Sequence, residues 1–268
     1  MRIARIQSSE GAVLVNANRD GSFTRLEGEL FGKLHDSGIE SKGHFLAPLD
    51  PPTIYCIGLN YREHARETGI HVNEYPVVFL KSPTSVTGPE SPIQLPPSQI
   101  SETIDYEAEL AIVISQDCKN VRREDALDVI LGFTCANDVT ARNWQSERGG
   151  GQFSRSKTFD TFCPLGPVIV TTDEISDPWS LSISSRLNGT VMQESSTSDL
   201  IFDVPTLVEF LSMETTLKAG TVILTGTPQG VGFARKPPVF MRDGDVIEVE
   251  IEGIGTLSNP LAASKSDV

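Results

Sequence analysis

From Tyr106 to Ile114 the chain reads Tyr-Glu-Ala-Glu-Leu-Ala-Ile-Val-Ile, an apolar run entered by two glutamates one position apart. Its aliphatic, β-branched end predicts a buried strand. Similar short runs, broken by Gly, Pro and Asp turns, predict strands at 54–58, 77–80, 132–136, 168–170, 181–187, 221–225 and 246–251. Helical spacing is confined to 61–68, 124–130 and 204–211, the last preceded by Asp203 as a candidate cap. Residues 1–48 alternate apolar and polar, as at Val13-Leu14-Val15, and predict a small β-rich N-terminal subdomain. The joint Ala47-Pro48-Leu49-Asp50-Pro51-Pro52 is expected to be extended, because proline restricts its own φ and its predecessor's backbone. Residues 49–268 then form the larger unit. The expected fold class is mixed β/α, dominated by β.

Composition narrows the partners. The formal net charge of −14 over 268 residues argues against nucleic acid and anionic membrane, both of which demand basic patches. No apolar run approaches the ~18–20 residues of a membrane span, and Met1–Ile6 opens no apolar leader. Cys56, Cys118, Cys135 and Cys163 are widely separated with no C-x-x-C, so they read as reduced thiols. A cytoplasmic location is the expectation.

Alternation along a strand puts Glu107 and Glu109 on one face, where two like charges need a cation or a shared proton. An exposed acidic edge strand is the alternative for this pair alone. Asp138, ending the apolar segment 130–138, supplies a third carboxylate, and the three together favour a hard cation such as Mg²⁺ or Mn²⁺. If 61–68 is helical, His64 and Glu67 share a face, and a carboxylate beside imidazole raises its basicity. Isolated, the same pair would be an ordinary surface interaction; His35, His44 and His71 read as surface residues. Gly149-Gly150-Gly151 marks mobile or closely approached backbone leading to Lys157, a candidate charge for a developing enolate or carboxylate. A second glycine-rich turn, Thr225–Gly232, offers backbone N–H groups and Thr227 for a carboxylate. It is not a P-loop, since the Gly-Lys-Ser/Thr ending is missing.

The stretches GLNYREHARETG, FLKSPTSVTGP, DYEAELAIVI, GFTCANDVTARNWQ, SKTFDTFCPLGP, LTGTPQGVGF and GDVIEVEIEGIGTLSNP resemble the fumarylacetoacetate hydrolase family, in family order over about residues 53–260. KTFDTFCPLGP and RKPPVF most resemble the subgroup of the second human-type domain-containing protein, for which the resemblance implies oxaloacetate tautomerase activity. It implies a mixed β-roll, an Mg²⁺ or Mn²⁺ cofactor held by Glu107, Glu109 and Asp138, and a homodimer. It also implies catalytic His64, Glu67 and Lys157, with Arg142, Gln145 and Thr227 holding substrate. Asn143 stands where the family commonly has Asp, a change expected to loosen any pairing of Arg142. The implied substrate is a small anionic 2-oxo acid with a β-carbonyl, chelated so that the cation favours its enolate. C–C hydrolysis of an acylpyruvate is the leading expectation. Keto–enol tautomerisation or decarboxylation of oxaloacetate at the same site is the alternative, and a catalytically silent binding dimer is the third.

Overall fold

The most apolar run of the chain becomes the centre of the fold. In the computed structural model, which describes residues 1–146, 148–175 and 177–264, every residue of the strand Ala108–Ile114 is buried. A strand covered on both faces must be apolar throughout, as this one is beyond Glu109. Leu110, Ile112 and Ile114 pack into one core with Ala4, Ile6, Val249 and Ile251. Ala111 and Val113 face a second core with Ile54, Cys56, Leu165 and Leu224.

Among the described residues, twelve strands form one sheet. Its main path runs Leu34–Ser41, Phe23–Gly28, Gly11–Ala17, Arg2–Ser8, Cys163–Thr171, Ile130–Asn137, Ala108–Ile114, Val222–Leu224, Ile54–Gly58 and Val77–Lys81. A five-stranded sheet, Thr190–Ser196 to Ile93–Leu95, packs across it, with Ile183, Val249 and Leu257 sharing the first core. Helices are few and short: Arg62–Thr68, Arg142–Gln145, Ser154–Lys157 and Val204–Ser212. The β-dominated mixed fold is therefore as expected.

Several elements differ from expectation in extent. Residues 1–48 are β-rich, and Arg2–Ser8 pairs with Cys163–Thr171, so their sheet is continuous with the main one. The strand expected at 168–170 begins at Cys163, because its Pro164 lies where the partner is the parallel Val86–Thr87. The stretch at 124–130 is a 3-10 helix, Arg123–Val129, and the joint at 47–52 holds buried Ala47 and Leu49. Residues 265–268 of the expected larger unit lie outside the described residues.

A candidate metal and substrate site

The register of one strand pair builds the acidic cluster. Ala108 pairs with Asn137 and Glu109 with Ala136, antiparallel. One step further, the Asp138 N–H donates to the Glu107 carbonyl at 2.9 Å, and the Glu107 N–H donates to Asn137 Oδ1 at 3.0 Å. Directly opposed residues share a face, so Glu107, Glu109 and Asp138 converge. All three are buried, and one oxygen of each lies within 4.8 Å of the others. At that separation each pair of charges repels by roughly 3–4 kcal/mol for an effective dielectric constant near 20.

Cations meet part of this charge. Lys157 Nζ is 2.7 Å from both Glu107 Oε2 and Asp138 Oδ2, and Lys81 Nζ is 2.6 Å from Asp138 Oδ1. Arg142 donates through Nε to Asp105 Oδ2 at 2.8 Å and through Nη1 to Gln145 Oε1 at 2.9 Å. Its Nη2 forms an ion pair with Glu107 Oε1 at 2.7 Å. Burial opposes the Glu107 carboxylate, but Lys157 and Arg142 outweigh it and bring its pKa to about 2. Burial also opposes the Lys157 ammonium, yet Asp138 and Glu107 hold its pKa above the ordinary lysine value.

Glu109 has less relief, since Lys157 acts on it only at a distance. It accepts one hydrogen bond, from the Gly226 N–H at 2.6 Å, and forms no ion pair among the described residues. Burial, then Asp138 and Glu107, push its pKa well above the carboxylate range. A buried carboxylate without a cation, beside two others, is a fit for a hard divalent ion bound through oxygen. A Cβ at Gly226 would meet Asn60 Cβ at 2.8 Å, so the turn must be glycine to bring its N–H this close.

The cluster forms the floor of a cavity of about 510 Å³. His64, Arg142, Gln145, Lys157 and Thr227 line it together with Glu107 and Glu109. Asp138 lies beneath, fully buried. His64 Nδ1 is 3.0 Å from Glu67 Oε2, which leaves Nε2 as the basic nitrogen when Nδ1 carries the proton. Glu67 Oε1 accepts from the Gly230 N–H at 2.9 Å, tying the helix Arg62–Thr68 to the glycine-rich turn. Burial would raise the Glu67 pKa, but these hydrogen bonds from His64 and Gly230 bring it below the ordinary value.

Two expectations need correction. The N–H groups of Gly226 and Gly230 are taken by Glu109 and Glu67, so among the turn's donors only others remain for substrate. Asn143 does not loosen Arg142, whose carboxylate partners are Asp105 and Glu107. Asn143 Oδ1 instead accepts from Ser101 Oγ at 2.6 Å and from the Trp144 N–H at 3.0 Å. Gly149 is held close, since a Cβ there would sit 1.7 Å from the Trp144 carbonyl oxygen, and Gly151 lines the cavity.

Sequence reasoning passed over four residues. Lys81 reads as a strand-end lysine. Asp105 is fully buried and also accepts from the Gly232 and Phe233 N–H groups at 2.7 and 3.0 Å. Gln193 is buried behind Thr227, and His71, taken as a surface residue, is exposed at the cavity wall. Lys81 and Asp105 lay within stretches already marked, FLKSPTSVTGP and DYEAELAIVI.

Residues 53–262 match the family model described as fumarylacetoacetate (FAA) hydrolase C-terminal. The chain is 48% identical over 217 residues to the protein named oxaloacetate tautomerase fahd2, mitochondrial, of Xenopus laevis, covering 81% of this chain and 67% of the relative. Among solved structures, it is 41% identical to a 5-carboxymethyl-2-hydroxymuconate delta-isomerase from Mycobacterium smegmatis, with a TM-score of 0.86 over 98% of this chain and 100% of that one. A fumarylacetoacetate hydrolase from Exiguobacterium antarcticum superposes with a TM-score of 0.89 at 37% identity, over 98% and 100% of the two chains.

Proposed function

The chain belongs to the fumarylacetoacetate hydrolase family, in the subgroup of its domain-containing protein 2, and on that premise we propose that it interconverts the keto and enol forms of a small anionic 2-oxo acid with a β-carbonyl, oxaloacetate being the reference substrate. The observation that carries the reading is the buried oxygen-only triad with an ammonium 2.7 Å from two of its members. Nearly half identity to a relative named oxaloacetate tautomerase supports placing tautomerisation ahead of the hydrolysis expected first from the sequence. Mg²⁺ or Mn²⁺ held by Glu107, Glu109 and Asp138 would supply a Lewis acid that favours negative charge on a 2-oxo oxygen.

The chain's own groups do the rest. Lys157, fixed by two carboxylates and lining the cavity, presents fixed positive charge to that oxygen at no reorganisation cost. Arg142, held by Asp105 and Gln145 and stacked 4.4 Å from the Phe233 ring centre, orients a substrate carboxylate together with Gln145 and Thr227. Phe79, Phe153 and Phe202 line the walls and exclude water.

C–C hydrolysis is the second reading, favoured by one observation: His64, paired with Glu67, lines the same cavity. Cleavage needs a base to hold water against the distal carbonyl, and His64 Nε2 is that base. A panel of oxaloacetate, fumarylpyruvate and acylpyruvates with Mg²⁺ and Mn²⁺, followed by enol absorbance, separates the reactions. Fast oxaloacetate tautomerisation is expected. No turnover of oxaloacetate by either cation-loaded form would overturn the proposal. His64→Ala should lower any acylpyruvate cleavage by about 10²–10⁴ while leaving tautomerisation within about tenfold. An equal loss in both would assign the pair to the shared enolisation step.

A further inference from the structure

Gln193 lies on the strand Thr190–Ser196 of the five-stranded sheet, not on the sheet that carries the carboxylates. It is 1% exposed, and every hydrogen-bonding position of its carboxamide is occupied. Oε1 accepts from the Ala108 N–H at 2.9 Å and from Ser185 Oγ at 3.0 Å. Nε2 donates to the Pro228 carbonyl at 2.9 Å and to Thr227 Oγ1 at 2.7 Å. The backbone partners fix which end is which, because an N–H can only donate and a carbonyl only accept.

Two consequences follow for the cavity. Ala108 stands between Glu107 and Glu109, so one end of the carboxamide holds the backbone from which both glutamates project. The other end fills an acceptor position on the Thr227 hydroxyl, whose own hydrogen has no acceptor among the described residues. Thr227 lines the cavity, so that hydrogen is left for a ligand. A hydroxyl held this way keeps its hydrogen for an acceptor such as a carboxylate oxygen, with one of its two lone pairs already filled.

We propose that Gln193 is a positioning residue that polarises Thr227 into a hydrogen-bond donor for the substrate carboxylate. The inference rests on the reading of Thr227 as a substrate contact. It goes beyond that reading by naming what sets the contact's polarity and what ties it to the acidic cluster. Gln193→Glu reverses the arrangement: an acceptor replaces the NH₂ group, so the Thr227 hydrogen finds a partner inside the protein and is withdrawn from the ligand.

The test is oxalate affinity of the Mg²⁺-loaded protein, measured by titration calorimetry, which needs no turnover. Gln193→Glu and Thr227→Val should each raise the oxalate Kd by roughly 10–100-fold, the range for one hydrogen bond to a charged group. The double variant should be no weaker than Thr227→Val alone, because the two residues act through one hydroxyl. Mg²⁺ affinity without oxalate should change less than about threefold, a bound set by the absence of a lost ligand. Gln193→Met, of similar length but without donor or acceptor, serves the same cycle if the buried glutamate prevents folding.

An undiminished effect of the Gln193 substitution in the Thr227→Val background would overturn the proposal. A parallel loss of Mg²⁺ affinity would also overturn it, showing that the carboxamide acts by holding the glutamate strand. So would an unchanged Kd in Thr227→Val. Wild type that binds oxalate without tautomerising oxaloacetate would sink the functional reading alone, with Gln193 still judged by the cycle.

Discussion

A buried lysine beside a carboxylate can serve the fold or the ligand, and Lys81 and Lys157 divide these uses. Lys81 is walled off from the cavity and bonds Asp138 alone among carboxylates, whereas Lys157 bonds Glu107 and Asp138 and lines the cavity. Removing one partner of a fully buried pair leaves an uncompensated charge. Lys81→Met should therefore destabilise the protein by about 3–5 kcal/mol, read as a shift in the denaturant midpoint. Lys157→Met should lower oxaloacetate turnover by roughly 10²–10³, the range for one electrostatic contact to the transition state. Turnover within twofold of wild type would make Lys157 structural. The sequence singled out Lys157 and passed over Lys81, since the partner they share, Asp138, is 57 positions from Lys81 and 19 from Lys157.

At the scale of elements, caps and turns set where the functional groups stand. The helix Val204–Ser212 begins at Asp203, whose Oδ1 accepts from the Thr206 N–H at 3.0 Å, as the sequence led one to expect. Burial would raise the Asp203 pKa, but hydrogen bonds from Thr206 and Arg123 outweigh it and lower the value. A folded-state pKa below the unfolded one gives stability that is present above the ordinary aspartate range and lost as pH falls through the folded value. Asp203→Ala should cost about 1 kcal/mol at pH 7, and the gap in melting temperature from wild type should close below about pH 4. A gap that persists at low pH would show that packing, not the carboxylate, is responsible. The helix Arg62–Thr68 was a candidate in the sequence, and its formation puts His64 and Glu67 on one face as that reading required. Its anchor to Gly230 was not, being made across 163 positions.

Across the whole molecule, local pattern carried the strands and missed what joins them. Alternation showed that Glu107 and Glu109 share a face, because that follows from strand geometry alone. Asp138 opposite Glu107 depends on register, which only the folded pair reveals. Proline and glycine at 164–167 hid half of the strand Cys163–Thr171, whose parallel neighbour Val86–Thr87 lies far back in the chain. Gln193 gave no signal, and Asp105, though inside the marked stretch DYEAELAIVI, had no role assigned, because a buried aspartate or glutamine looks like any polar residue until its partners are known. What these contacts assemble, at and beneath the cavity floor, is a cluster of four carboxylates, Asp105, Glu107, Glu109 and Asp138, against three cations, Lys81, Lys157 and Arg142. Glu109 is the member without an ion pair among the described residues, and the one whose ionisation a bound cation would have to support.

The most direct measurement is therefore the rate of enol-oxaloacetate loss with chelator-treated protein, before and after Mg²⁺ is restored, for wild type and Glu109→Gln in parallel. Wild type should fall to the uncatalysed rate and recover with Mg²⁺. Glu109→Gln should stay at the uncatalysed rate at the same Mg²⁺ concentration, while melting no lower than wild type without metal, because it breaks no ion pair and its carboxamide oxygen can still accept from the Gly226 N–H. Full activity of wild type in chelator, or full Mg²⁺-dependent activity of Glu109→Gln, would contradict a cation-dependent enolisation centred on these three carboxylates.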